Sequence, residues 1–137
     1  DYRRGRASAL NLFLYRLAPR AVLQDARATL KLPPGSIGFD LFYLLTAYGA
    51  KDYTAETLLG YGVQAFCQTP MLTPDDVRKR IKTAKNKTIE KAEVSAHNLT
   101  ITPSFMSLDD MSKIWSSLQA KYRPSVAYQV SPLIISP

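Results

Sequence analysis

The sequence predicts an α+β domain with a mainly antiparallel sheet of about four strands and helices packed on one face. Three observations lead there. Short segments alternate side-chain character or run apolar throughout, as strands do. Other stretches repeat apolar residues at helical spacing. The resulting order is strand, strand, helix, helix, strand, helix, strand, which is not the regular alternation that builds a parallel sheet.

The first strand is Leu10–Arg16, where Leu10, Leu12 and Leu14 oppose Asn11, Phe13 and Tyr15, giving one fully apolar face. Residues 17–36 form a long connection holding Pro19, Pro33, Pro34 and Gly35 and the basic side chains Arg20, Arg27 and Lys31. Such length in a compact domain points to a functional or mobile segment. Ile37–Tyr48 is apolar on both faces and reads as a central strand, with Asp40 expected at a strand end, bonded to a turn.

A helix follows over 55–68, carrying Leu58, Leu59, Val63 and Phe66 on its apolar side and Glu56 in its first turn. Gly60 and Gly62 weaken it and suggest close packing on a neighbour. Thr73-Pro-Asp-Asp76 supplies an N-cap, a proline at the first helical position and two acids for a short basic helix running to about Thr83. Residues 85–91 read as an exposed basic loop, and 92–102 as a third strand stopped by Pro103. Ser107-Leu-Asp-Asp110 resembles a capping box. It opens a helix with Leu108, Met111, Trp115 and Leu118 along one face. The last strand is 125–131, with Val126, Tyr128 and Val130 on one side.

At 137 residues the chain fits one domain, spanning 1–137, and 46% hydrophobic residues suffice for a core. It lacks both the roughly 20-residue apolar run of a membrane span and the apolar stretch of a signal peptide. Starting at Asp1 without Met, it reads as a processed or partial product. Cys67 is the only cysteine, which excludes an internal disulfide and a multi-cysteine metal site.

Catalytic material is scarce. His97 is the only histidine, and Glu93 on its face stands roughly 13 Å away along a strand. Asp75-Asp76 and Asp109-Asp110 sit at predicted helix starts, where free amides explain them without chemistry. No phosphate-cradling glycine loop or serine elbow is present. The expectation is a protein with no catalytic site, no metal and no cofactor. The net charge of +7 favours acidic partners. Arg78, Lys79, Arg80, Lys82, Lys85, Lys87 and Lys91 crowd one region, without the interleaved exposed aromatics that a single-strand nucleic-acid module would use.

Several segments, in this order and spacing, resemble the tail-terminator or cap proteins of extracellular contractile injection systems, relatives of phage tail terminators. They are Leu10-Asn-Leu-Phe-Leu-Tyr-Arg16, Phe39-Asp-Leu-Phe-Tyr-Leu-Leu-Thr-Ala-Tyr48, Leu58-Leu-Gly60 with its helix, Leu108-Asp-Asp-Met-Ser-Lys-Ile-Trp115 and Tyr122-Arg-Pro-Ser-Val-Ala-Tyr128. The resemblance implies a structural protein forming a ring, a hexamer, that ends tube and sheath distal to the baseplate. It implies assembly in the bacterial cytoplasm and partners that are the ring's own copies and the tube and sheath proteins. It also implies a further segment before the first strand, which this sequence lacks.

The candidate protein interface comprises Arg20, Arg27, Lys31, Arg78, Lys79, Lys82, Lys85, Lys87 and the C-terminal Leu133, Ile134 and Ile135, an arm bracketed by Pro132 and Pro137 or simply the end of the last strand. A small basic nucleic-acid-binding module is the alternative, carried by the charge of residues 78–91.

Overall fold

A computed structural model describes residues 8–19, 35–49, 53–84, 98–121 and 123–135, with the side chains of residues 80–84 excepted. The elements are β1 (Ala9–Pro19), β2 (Ile37–Tyr48), α1 (Thr54–Gln68), β3 (Met71–Leu72), α2 (Pro74–Ala84), β4 (Leu99–Pro103), α3 (Leu108–Ser117) and β5 (Ser125–Ile135). They build a five-stranded sheet in the order β1-β2-β5-β4-β3. Every neighbouring pair is antiparallel. The α+β class is as the sequence predicts, with β3 as a fifth strand. Two residues between Pro70 and Thr73 carry no periodicity by which to see it.

β2 and β5 are central, so both of their faces are covered. Leu44 and Ala127 pair across the two strands and pack with Met111 and Trp115 of α3; Phe13, Tyr15, Met106 and Ile114 complete that core. Leu45 and Tyr128, the next residues along, point to the opposite face as strand pleating requires. There α1 covers them: Gly62 lies against Leu45, and the Phe66 and Tyr128 rings stand 4.7 Å apart. The helices therefore divide between the two faces, where the sequence reading put them on one. Apolar residues on both sides of β2 demand a cover on each.

Three local expectations change. The core side of β1 is Phe13 and Tyr15, while Leu10, Leu12 and Leu14 remain 42%, 47% and 44% exposed. In α3 only Met111 and Trp115 are buried, whereas Leu108 and Leu118, at its two ends, overhang the sheet at 69% and 43% exposure. Asp40 is not at a strand end; it lies half-buried within β2, opposite Ala18 and beside a register shift between Phe39 and Leu41.

Boundaries shift as well. β1 runs three residues past Arg16, beyond a register irregularity between Leu14 and Arg16. β5 continues through Pro132 to Ile135. That proline is tolerated because β4 pairing has ended at Ser131 and the β2 register shifts beside it, so the strand loses little by lacking an N–H there. β4 begins at Leu99; of the predicted third strand, residues 92–97 lie outside the described residues.

Candidate interface

The helix starts behave as local chemistry dictates. Thr73 and Asp76 form a reciprocal cap: the Asp76 amide donates to Thr73 Oγ1 at 3.2 Å and the Thr73 amide to Asp76 Oδ2 at 3.1 Å. The Asp110 amide donates to Ser107 Oγ at 3.1 Å. Asp75 holds Arg78 at 3.2 Å on the surface, an i,i+3 pair worth about 0–1 kcal/mol. The carboxylates of Asp75 and Asp76 thus have local partners, while Asp109 and Asp110 add their charge to the first turn of α3. Among the described residues no three His, Cys, Asp or Glu side chains cluster as metal ligands would. His97 and Glu93 lie outside them. No helix of the described residues is long and apolar enough to cross a membrane.

The described candidate interface residues lie on two elements, α2 and the end of β5. Arg78 and Lys79 are exposed on α2. Lys82 belongs to the same helix with its side chain undescribed, and Arg20, Arg27, Lys31, Lys85 and Lys87 lie outside the described residues. Leu133, Ile134 and Ile135 are the end of β5, paired with Phe39, Gly38 and Ile37. Ile134 is buried at 5% exposure, Leu133 half-buried and Ile135 54% exposed. Of the two readings of this segment, the structure gives the strand end, of which Ile135 is the exposed member.

A different feature dominates the described surface. β1 is an edge strand eleven residues long, and its leucine row faces the α1 side. Leu10 reaches the helix, its Cδ atoms lying 3.5 and 3.6 Å from where a side chain at Gly62 would start. Leu17 is 52% exposed as well. Covering the exposed half of one such leucine is worth about 1 kcal/mol. On the other face, bulged Tyr15 tilts against Phe42 at 6.2 Å and the Arg16 guanidinium lies over the same ring at 5.1 Å. At the far end of β2, Arg123 stacks 4.0 Å over Tyr48.

Sequence reasoning gave β1 one fully apolar face without saying which face the fold buries. The missed signal is that Phe13 and Tyr15, larger than leucine, offer the greater area to bury. Three aromatics also stay outside the core: Tyr53 is 81%, Tyr61 63% and Phe105 100% exposed. Tyr15 and Tyr128 titrate above the usual tyrosine value of 10.0, chiefly because burial disfavours the phenolate. Arg16 partly offsets the rise at Tyr15, and Cys67 adds to it at Tyr128.

Among the described residues, an antiparallel sheet that ends in a long strand with half-exposed apolar side chains offers the kind of surface on which proteins meet. The chain belongs to the family described as the Pvc16 N-terminal domain, whose model matches residues 2–137. That family takes its name from a Photorhabdus virulence cassette protein, which makes the chain a domain related to the structural components of contractile injection systems. No curated protein matches the chain.

Proposed function

We propose that the chain is a cap subunit, forming a ring at the tail end distal to the baseplate and stopping growth of tube and sheath there. Its family membership over residues 2–137 carries the reading. The unequal sheet edges support it. A terminator must match the polymer on one side and refuse a further subunit on the other. Among the described strands, one edge is β1, eleven residues long and paired only with β2. The other is β3, two residues long and preceded by Pro70, beside a β4 that ends in Pro103. Prolines and short strands close an edge to pairing.

In this proposal the ring is a hexamer matching the tube's rotational order, and it assembles in the bacterial cytoplasm before becoming part of the particle. It works by surface complementarity and has no catalytic site. Deleting the coding sequence should yield tails of uncontrolled length, and electron microscopy of intact particles should show a ring at one end. Tails of normal, fixed length after deletion would overturn the assignment.

The net charge of +7 motivates a second reading, a nucleic-acid-binding module. It requires log affinity for DNA to fall linearly with log salt; absence of binding at low salt removes it.

A further inference from the structure

We propose that copies of this chain meet head to tail, the outer face of α1 in one copy seating the β4–α3 turn of the next. This rests on the ring reading above and names the two faces through which such a ring closes. Both patches lie in segments described on either side of them, residues 53–79 and 98–121.

The first observation is where charge is missing. The chain holds 18 Lys and Arg against 11 Asp and Glu, a net charge of +7. Yet no residue from Thr57 to Pro74 is charged, and none from Asn98 to Leu108. A surface helix normally carries charge on its solvent side. On α1 that side is Thr57, Gly60, Tyr61, Gln64 and Gln68, all exposed and at helical spacing. An acidic partner or a nucleic acid would be met by basic side chains, and these patches have none. Another copy brings the same positive charge, so it approaches closely only where both surfaces are neutral.

The second observation is a pair of local choices that weaken the fold. Gly60 stands inside α1, where glycine is a poor helix former, and a Cβ there would meet nothing within 4 Å. Packing within the domain gives no reason for the missing side chain. Tyr53, 81% exposed, opens the same face at φ 63°, a left-handed conformation that bulky residues rarely adopt. Local rules broken without an internal gain mark functional surface. A bare glycine beside exposed Tyr61 leaves a shallow seat on the helix, where another chain can come close.

The third observation is a matching projection. Phe105 is 100% exposed and Leu108, in the first turn of α3, 69%. The neighbours of Phe105 are anchored: the Ser104 amide donates to the Ala127 carbonyl at 2.8 Å, Met106 packs against the core, and Ser107 caps α3. A ring held out by anchored neighbours loses little freedom on docking. α1 covers the Leu45–Tyr128 face of the sheet, whereas Met106 and α3 cover the Leu44–Ala127 face. Seat and projection therefore belong to opposite layers. Two different patches on opposite sides of a subunit make a heterologous contact, the kind that closes rings.

Association of the full chain, read by sedimentation velocity over a concentration series and by incorporation into particles, tests this. Gly60→Lys supplies a better helix former and an i,i+4 partner for Glu56, so the dilute chain should melt unchanged or a few degrees higher. Its association should weaken at least about ten-fold, because the lysine fills the seat and adds like charge. Phe105→Glu, at a fully exposed position, should weaken association as much and leave the melt unchanged. Both substitutions on one chain should recover at least about five-fold over either alone, lysine and glutamate then facing each other across the contact. In a Cys67→Ser background, Gly60→Cys with Phe105→Cys should cross-link copies in purified particles into a ladder of multimers. A lowered melt for Gly60→Lys would mean that the face is covered within one chain, and overturns the proposal. So does a double variant no better than the singles, the absence of a ladder, or a dimer formed by Gly60→Cys alone, which would be a two-fold contact. A ladder together with tails of normal length after deletion removes the cap assignment and keeps the contact. Lost length control with no ladder does the reverse.

Discussion

Gly60 and Gly62 lie two residues apart in α1, and replacing each with alanine should move stability in opposite directions. Alanine gains about 1 kcal/mol over glycine inside a helix. At Gly60 a new Cβ meets nothing within 4 Å, so most of that gain should appear, raising Tm by about 3 °C. At Gly62 the new Cβ falls 2.8 Å from Leu45 Cδ2. Comfortable carbon contacts begin near 3.5 Å, so one partner must retreat by roughly 0.7 Å.

Leu45 is 4% exposed and has little room to turn. Overpacking of this kind costs about 1–3 kcal/mol. The gain offsets part of it, which leaves Gly62→Ala about 1–3 kcal/mol below Gly60→Ala and neutral to about 2 kcal/mol below the parent. Thermal and urea melts of the two variants decide the sign. A double-mutant cycle with Leu45→Ala should return a favourable coupling of at least about 1 kcal/mol, since removing the leucine end makes room for the new methyl. Gly62→Ala melting as high as Gly60→Ala would refute the contact by which α1 is set on β2, and with it the two-faced covering of the sheet.

Three further outcomes are expected. Thr46 is 2% exposed and its hydroxyl has no hydrogen-bond partner, so Thr46→Val should be neutral or raise stability by about 1 kcal/mol in urea melts; a loss beyond 1 kcal/mol would reveal an internal partner for the hydroxyl. Ser107→Ala removes the acceptor at the start of α3 and should cost about 1 kcal/mol, with Ser107→Asp restoring it. Because the folded pKa values of Tyr15 and Tyr128 lie above their unfolded values, their contribution is fully present below about pH 10 and is lost as pH rises through the raised values. A melt series should show that fall, and Tyr128→Phe should blunt it; stability unchanged to pH 12 would contradict the assignment.

Much of this architecture is legible locally. The caps at Thr73 and Ser107 are written in four-residue motifs whose hydrogen bonds close within one turn, and both form. The order of the elements other than the two-residue β3 follows from periodicity, and the Met111–Trp115 stripe reaches the core it was expected to fill. Ordered segments of the sequence already carry the resemblance to proteins of contractile injection systems, and the family match agrees with that class.

Other features depend on which neighbour a face meets. An alternating strand such as Leu10–Tyr15 states that it has two faces but not which one is buried, because period two is symmetric between them. Packing decides it, since α3 brings Trp115 and Met111 to the Phe13 and Tyr15 side, while on the other side Leu10, Leu12 and Leu14 stay 42%, 47% and 44% exposed. The same holds for β5 passing through Pro132, for the pairing of β3 and for the burial of Ile134. The sequence by itself determined the elements, their caps and the family, because those depend on residues close along the chain. Only the tertiary structure decided that β1 ends the sheet with its leucines uncovered, because an edge exists only when strands distant in sequence have taken their places.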